Sequence, residues 1–194
     1  MRHTIEFVYR KLSNEPSGHD YLHAMRVFRN SEMLLTDELD KNVILASALV
    51  HDLIDHKLDP IFKASNTEIT EVLLQDGLTD PQVKHVFDII ENLSFSKGST
   101  PSSMEGKVVQ DADRLDALGA IGIARAFSYG GKQGRLIYDP TTTDGNDSVS
   151  HFYQKLFHLV KLMHTDQGRL EAQRRTEYMK QYIQTLNSEV QSNK

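Results

Sequence analysis

Three short stretches of the chain set imidazoles beside carboxylates or crowd carboxylates together. They are His19-Asp20-Tyr21-Leu22-His23, His51-Asp52-Leu53-Ile54-Asp55-His56-Lys57 and Asp111-Ala112-Asp113-Arg114-Leu115-Asp116. Each lies in or beside an apolar run of helical spacing, where an ionisable group is costly unless it is paired or metal-bound. Neutral imidazole combined with carboxylate suits Mn²⁺, Fe²⁺, Co²⁺, Ni²⁺ or Zn²⁺. Nine histidines in 194 residues are the compositional feature that fits such chemistry. The absence of cysteine removes thiol catalysis, disulfides and cysteine-based zinc sites together.

The second stretch follows the apolar run ILASALV, which predicts a mostly buried helix ending in charge. If the helix continues, His51 and Asp55 share a face and Asp52 is offset by about 100°. The alternative is a solvated helix end, because a His-Asp pair alone is a weak signal. The first stretch has the i, i+4 histidine spacing of zinc peptidases, with Asp20 in place of the usual glutamate. Aspartate is one methylene shorter and reaches a metal-bound water less well as a base. His19 also reads as a surface or capping residue, since Pro16 and Gly18 put it at the first turn of a helix.

The elements that must carry these stretches read as helices throughout. Leu22, Met25, Val27, Phe28, Met33 and Leu34 recur near 3.6 residues, as do Val43, Leu45, Ala46, Leu49, Val50 and Leu53. Ser17 is the expected cap of the first of these. A helix over about 66–75 is stopped by Gln75-Asp76-Gly77, and another over 81–93 is opened by Asp80 and Pro81 as N-cap and N1. Residues 94–103 read as loop. Residues 104–127 read as a close-packed helix pair broken near Leu118-Gly119, and 128–146 as a long glycine-rich loop. Helices over about 148–163 and 168–190 complete the chain. The expectation is one all-α domain, a helical bundle over residues 1–194 with a flexible loop at about 128–147.

Composition narrows the function class. With 22 Lys+Arg against 27 Asp+Glu the formal charge is −5, and there is no tryptophan, which argues against a general nucleic-acid binder. The 39% hydrophobic and 25% charged fractions are ordinary for a soluble globular protein. No run approaches the roughly 20 apolar residues of a membrane span. The first residues lack the apolar core of a secretory signal. Together these lead to an expected cytoplasmic location.

Taken together, the three stretches resemble the HD-domain metal-dependent phosphohydrolase superfamily, whose pattern is a histidine, a later His-Asp pair and a distant aspartate. His23 in HAMRV, His51-Asp52 in ALVHDL and Asp113 in DADRLD occupy those places. The ADRLD stretch also looks like a segment of the family's alarmone hydrolases. GHDYLHAMRV, HDLIDHK, QDADRLDALGAIGIARAF, the SYGG loop and HFYQKLFHLVKLMHT together resemble a small bacterial branch with nucleoside triphosphate pyrophosphohydrolase activity.

The resemblance implies one divalent ion held by His23, His51, Asp52 and Asp113, with Mn²⁺ or Mg²⁺ favoured and Fe, Co, Ni or Zn as other occupants. It implies hydrolysis of a nucleoside triphosphate to monophosphate and pyrophosphate. Asp55 is the candidate for orienting or deprotonating the attacking water. Lys57, Lys132, Arg135, Lys155 and Arg175 are the candidate phosphate-binding cations. The same metal site also serves a 5′-nucleotidase, a cyclic-nucleotide phosphodiesterase, an alarmone hydrolase or a non-catalytic nucleotide sensor. The expected partner is a small phosphate ester, a nucleotide, with no nucleic acid and no membrane; a homodimer stays open.

Overall fold

Residues Val43–Val50 are buried on every side of their helix, as a segment without a polar face requires. The computed structural model describes residues 1–55, 58–93, 100–139, 141 and 145–191. Its elements are helical, with no strand among the described residues, so the chain is all-α. It divides into two compact units, Met1–Asp113 and Arg114–Lys194.

The first unit is arranged about that buried helix. Its elements are α1 (Arg2–Leu12), α2 (Tyr21–Met33), α3 (Lys41–Val50), α4 (Asn66–Gln75), α5 (Asp80–Ile90) and most of α6 (Met104–Asp116). Helices α1, α2 and α5 all pack on α3. The core holds Val27, Ile44, Leu49, Leu53, Ile69, Leu73 and Ile89, each at most 2% exposed. Fully burying each such side chain contributes about 1.5–3 kcal/mol.

The helix ends are specified locally and tertiarily. Asp40 caps α3 by accepting from the backbone N–H of Asn42 and Val43, and its other oxygen accepts from Gln82 Nε2 at 2.9 Å. Ser65 and Glu68 form a reciprocal capping box on α4, which stops at Asp76 as expected. Asp76 in turn accepts from the backbone N–H of His3 and Thr4 and from Thr4 Oγ1, supplying α1 with a cap from another helix.

Two expected starts are corrected. Helix α2 is capped by Asp20, whose carboxylate accepts from His23 N–H at 2.7 Å, and not by Ser17. The Ser17 N–H instead donates to Glu15, which holds that segment outside the helix. Helix α5 begins one residue early, with Thr79 as its N-cap; the Gln82 side chain accepts from the Thr79 N–H and hydroxyl.

The second unit contains α7 (Gly119–Lys132), α8 (Ser148–Gln154), a 3-10 segment (Leu156–Leu162) and α9 (Asp166–Gln191). Phe152, Met163 and Met179 are core residues. Phe127 packs on Phe152 and Tyr182 with ring centroids 5.6 and 6.2 Å apart. Helix α7 runs on to Lys132, so the glycine-rich loop starts five residues later than its composition suggests. Residue 130 of that helix is a glycine because Ser148 Oγ occupies the space a Cβ would need. The helix expected over 148–163 breaks at Lys155, whose backbone (φ −133°, ψ −57°) leaves the helical region.

Candidate metal centre

All four expected metal ligands lie in the first unit, and the structure brings them together. On α2, residues His23, Val27 and Asn30 follow one another at i, i+4 and i+7 and are all buried. Asn30 Nδ2 donates to the carbonyl of Ala112 at 3.0 Å, tying that face to α6 one residue before Asp113. Helix α3 ends at Val50, and residues 51–54 form a turn fixed by the Ala64 N–H bond to the Leu53 carbonyl. That turn delivers His51 and Asp52 to the place where His23 and Asp113 meet.

The donor atoms converge closely. His23 Nε2 is 3.3 Å from His51 Nε2 and 3.3 Å from Asp52 Oδ2. Asp52 Oδ2 is also 3.3 Å from His51 Nε2. Asp113 Oδ1 lies 3.5 Å from His23 Nε2 and 4.0 Å from His51 Nε2. With metal–ligand bonds of about 2.0–2.2 Å, neighbouring donors around one ion are roughly 3.0–3.5 Å apart. The observed spacing fits.

The electrostatics fit as well. His51 Nδ1 faces the Ala48 carbonyl at 2.9 Å, so Nδ1 carries a hydrogen and Nε2 points into the cluster. Burial pushes the Asp52 carboxyl up. The charge of His51 and hydrogen bonds from His19 and His23 outweigh it, holding the group well below the usual carboxylate range. Asp52 is thus an ionised carboxylate in a buried place. His23 and Asp52 are almost wholly buried, whereas the Asp113 side chain is 37% exposed and marks an open side.

His19 was not among the expected ligands, yet it joins the cluster. Its Nδ1 is 2.9 Å from Asp52 Oδ2. Two overlapping donor groups result, His19/His23/Asp52 and His23/His51/Asp113, each with ligand atoms within 4.8 Å of one another. The H-D-x-x-H stretch was the only signal in the sequence. Its peptidase reading fails because His19 precedes the helix, so the two histidines are not a turn apart on one face, and Asp20 is committed to the cap.

Asp55 does not share a helical face with His51, since α3 has ended five residues before it. The Asp55 N–H donates to the Asp52 carbonyl at 3.0 Å, so its backbone is fixed to that of Asp52 by a tight turn instead. Lys57 lies outside the described residues. The remaining cations belong to the second unit. Lys132 is the exposed last residue of α7, and Arg135 stacks over the Tyr129 ring at 5.8 Å. Exposed Lys155 and Arg135 both act on His151, whose pKa is lowered by burial and then by these two charges. Arg175 donates to Glu171 Oε1 and to the Leu115 carbonyl, both at 2.7 Å, so its guanidinium ties α9 to the chain ahead of α7.

Comparison with known proteins agrees with this geometry. The HD-domain family model matches residues 20–118, which include His23, His51, Asp52 and Asp113. The chain is 38% identical over 184 residues to the YpgQ protein of Bacillus subtilis, covering 92% of this chain and 88% of that one. A crystal structure of YpgQ in complex with ADP superposes with a TM-score of 0.83, covering 97% of this chain and 93% of the other at 38% identity. An HD-superfamily hydrolase from Bacillus thuringiensis is 40% identical, with a TM-score of 0.79 and coverage of 97% and 95%.

Proposed function

This chain belongs to the HD-domain family and is a metal-dependent phosphohydrolase, and on that premise we propose that it hydrolyses nucleoside triphosphates to monophosphate and pyrophosphate. The observation that carries the reading is the convergence of His23, His51, Asp52 and Asp113 on one small volume. A nucleotide substrate is supported by the YpgQ structure, which was solved with ADP. The reading takes residues 1–194 as one HD-type domain acting in the cytoplasm.

His23, His51, Asp52 and Asp113 would hold a divalent ion, with Mn²⁺ or Mg²⁺ suited to phosphate oxygens. Such an ion supplies a Lewis acid for the phosphoryl group and lowers the pKa of water. The other tasks belong to the chain itself. Asp55 accepts a proton from the attacking water. Lys57, Lys132, Arg135 and Lys155 offset phosphate charge; Arg175, expected to join them, already has protein partners.

The test is product analysis on a nucleotide panel. Metal-stripped protein receives Mn²⁺, Mg²⁺, Co²⁺ or Zn²⁺, with Asp52→Asn as control. Metal-dependent pyrophosphate and nucleoside monophosphate, lost in the control, support the reading. Orthophosphate released from monophosphates would replace the substrate class. Nucleotide binding with no turnover would make the chain a sensor.

A further inference from the structure

We propose that His19 is a positioning residue that holds Asp52 in its ligand orientation, and that Glu15 in turn holds His19. The proposal rests on the metal-site reading above. Both residues precede the stretch matched by the family model, residues 20–118.

Glu15 is only 7% exposed, and its carboxylate accepts from the Ser17 N–H at 2.8 and 2.9 Å and from the His19 N–H at 3.0 Å. One buried carboxylate therefore fixes the backbone of the turn that carries His19. The turn needs φ +97° at residue 18, a conformation glycine adopts freely and side-chain-bearing residues resist. The imidazole then extends 33 residues along the sequence to Asp52 Oδ2 at 2.9 Å. A carboxylate oxygen only accepts, so His19 Nδ1 is the donor. A carboxylate on a short side chain rotates freely about its bonds unless a second donor fixes it. His19 supplies that donor from the open side, where its own side chain is 37% exposed. Outer partners of this kind set ligand orientation, and their loss typically costs about 10–100-fold in metal affinity or activity.

The experiment measures Mn²⁺ affinity of the metal-stripped full chain by competition with a chelating indicator. Parent, His19→Ala, His19→Asn and Asp52→Asn are compared, with circular dichroism melting to establish that each metal-free variant is folded. Asparagine places an amide N–H close to where Nδ1 stood. The expected result is about 10–100-fold weaker Mn²⁺ binding in His19→Ala and substantial rescue in His19→Asn. Unchanged affinity in His19→Ala would overturn the positioning role while leaving the metal site standing. Equal weakness of the Asn and Ala variants would overturn it too, by making the ring itself the ligand. A parent chain that binds no Mn²⁺ would sink the metal-site reading and this proposal with it.

Discussion

Two aspartates of the first unit, Asp52 and Asp76, are both held well below the usual carboxylate range, by different kinds of partner. At Asp76 burial pushes the carboxyl up, and hydrogen bonds from the Thr4 hydroxyl and the backbone of Thr4 and His3 more than reverse it. Those donors are the orphan N–H groups of a helix start and a hydroxyl beside them, so the arrangement satisfies both sides. At Asp52 the partners are imidazoles whose nitrogens crowd one another at 3.3 Å, with a further carboxylate oxygen 3.5 Å from His23. Four side chains whose metal-binding atoms crowd one small volume suit a cation, whereas N–H groups and a hydroxyl facing one carboxylate do not. A shifted pKa alone therefore does not mark a functional site; what surrounds the group does.

The comparison can be broken from either side. The largest effect belongs to Asp52→Asn. Losing a ligand should remove metal-dependent turnover by about 10³-fold or more, since Lewis-acid stabilisation is worth several kcal/mol and each 1.36 kcal/mol is a decade. Steady-state kinetics with saturating Mn²⁺ checks it, and parent-like kcat would show that Asp52 is no ligand. Asp55→Asn should lower kcat by about 10²-fold or more if it handles the proton of the attacking water. Retained kcat in that variant would assign Asp55 to the turn alone.

On the other side, Asp76→Ala should leave kcat per folded molecule unchanged and destabilise the chain by about 1–3 kcal/mol, because buried donors lose their acceptor. For a chain of this size that is a fall in Tm of about 2–4 °C per kcal/mol. The acid dependence has a definite sign. The folded Asp76 carboxyl titrates below its unfolded value, so its stabilisation is complete above about pH 4 and is lost as pH falls through the folded pKa. Parent and Asp76→Ala should therefore converge in Tm on acidification; a constant gap would contradict the mechanism. The smallest effects are expected at Arg135→Ala and Lys155→Ala, which should raise KM for a triphosphate while sparing Mn²⁺ affinity. An unchanged KM would remove them from phosphate binding.

What the sequence revealed, and what it hid, follows the range of the interactions. ILASALV announces a buried helix because its burial needs no knowledge of its neighbours, and α3 is buried all round. The ligand types were legible from chemistry at each stretch, and they meet in the structure. The end of α3 was not, since apolar periodicity runs on through Leu53 although the helix stops at Val50, which removed the facial argument for Asp55. Ser17 and Asp20 are both good caps, and the choice is made by Glu15 through bonds that hold Ser17 outside the helix. Gly130 and Gly131 looked like loop, but Gly130 makes room for Ser148. Hardest to see were His19–Asp52 and Thr4–Asp76, pairs 33 and 72 residues apart. Nothing local tells which residue pairs with which.

The most direct test is the number of Mn²⁺ ions bound per chain, measured by equilibrium dialysis on metal-stripped parent, Asp52→Asn and Asp76→Asn. The account predicts one ion in the parent and in Asp76→Asn, and loss of that ion in Asp52→Asn at the same free Mn²⁺. Equal binding by all three, or equal loss in both variants, would contradict it.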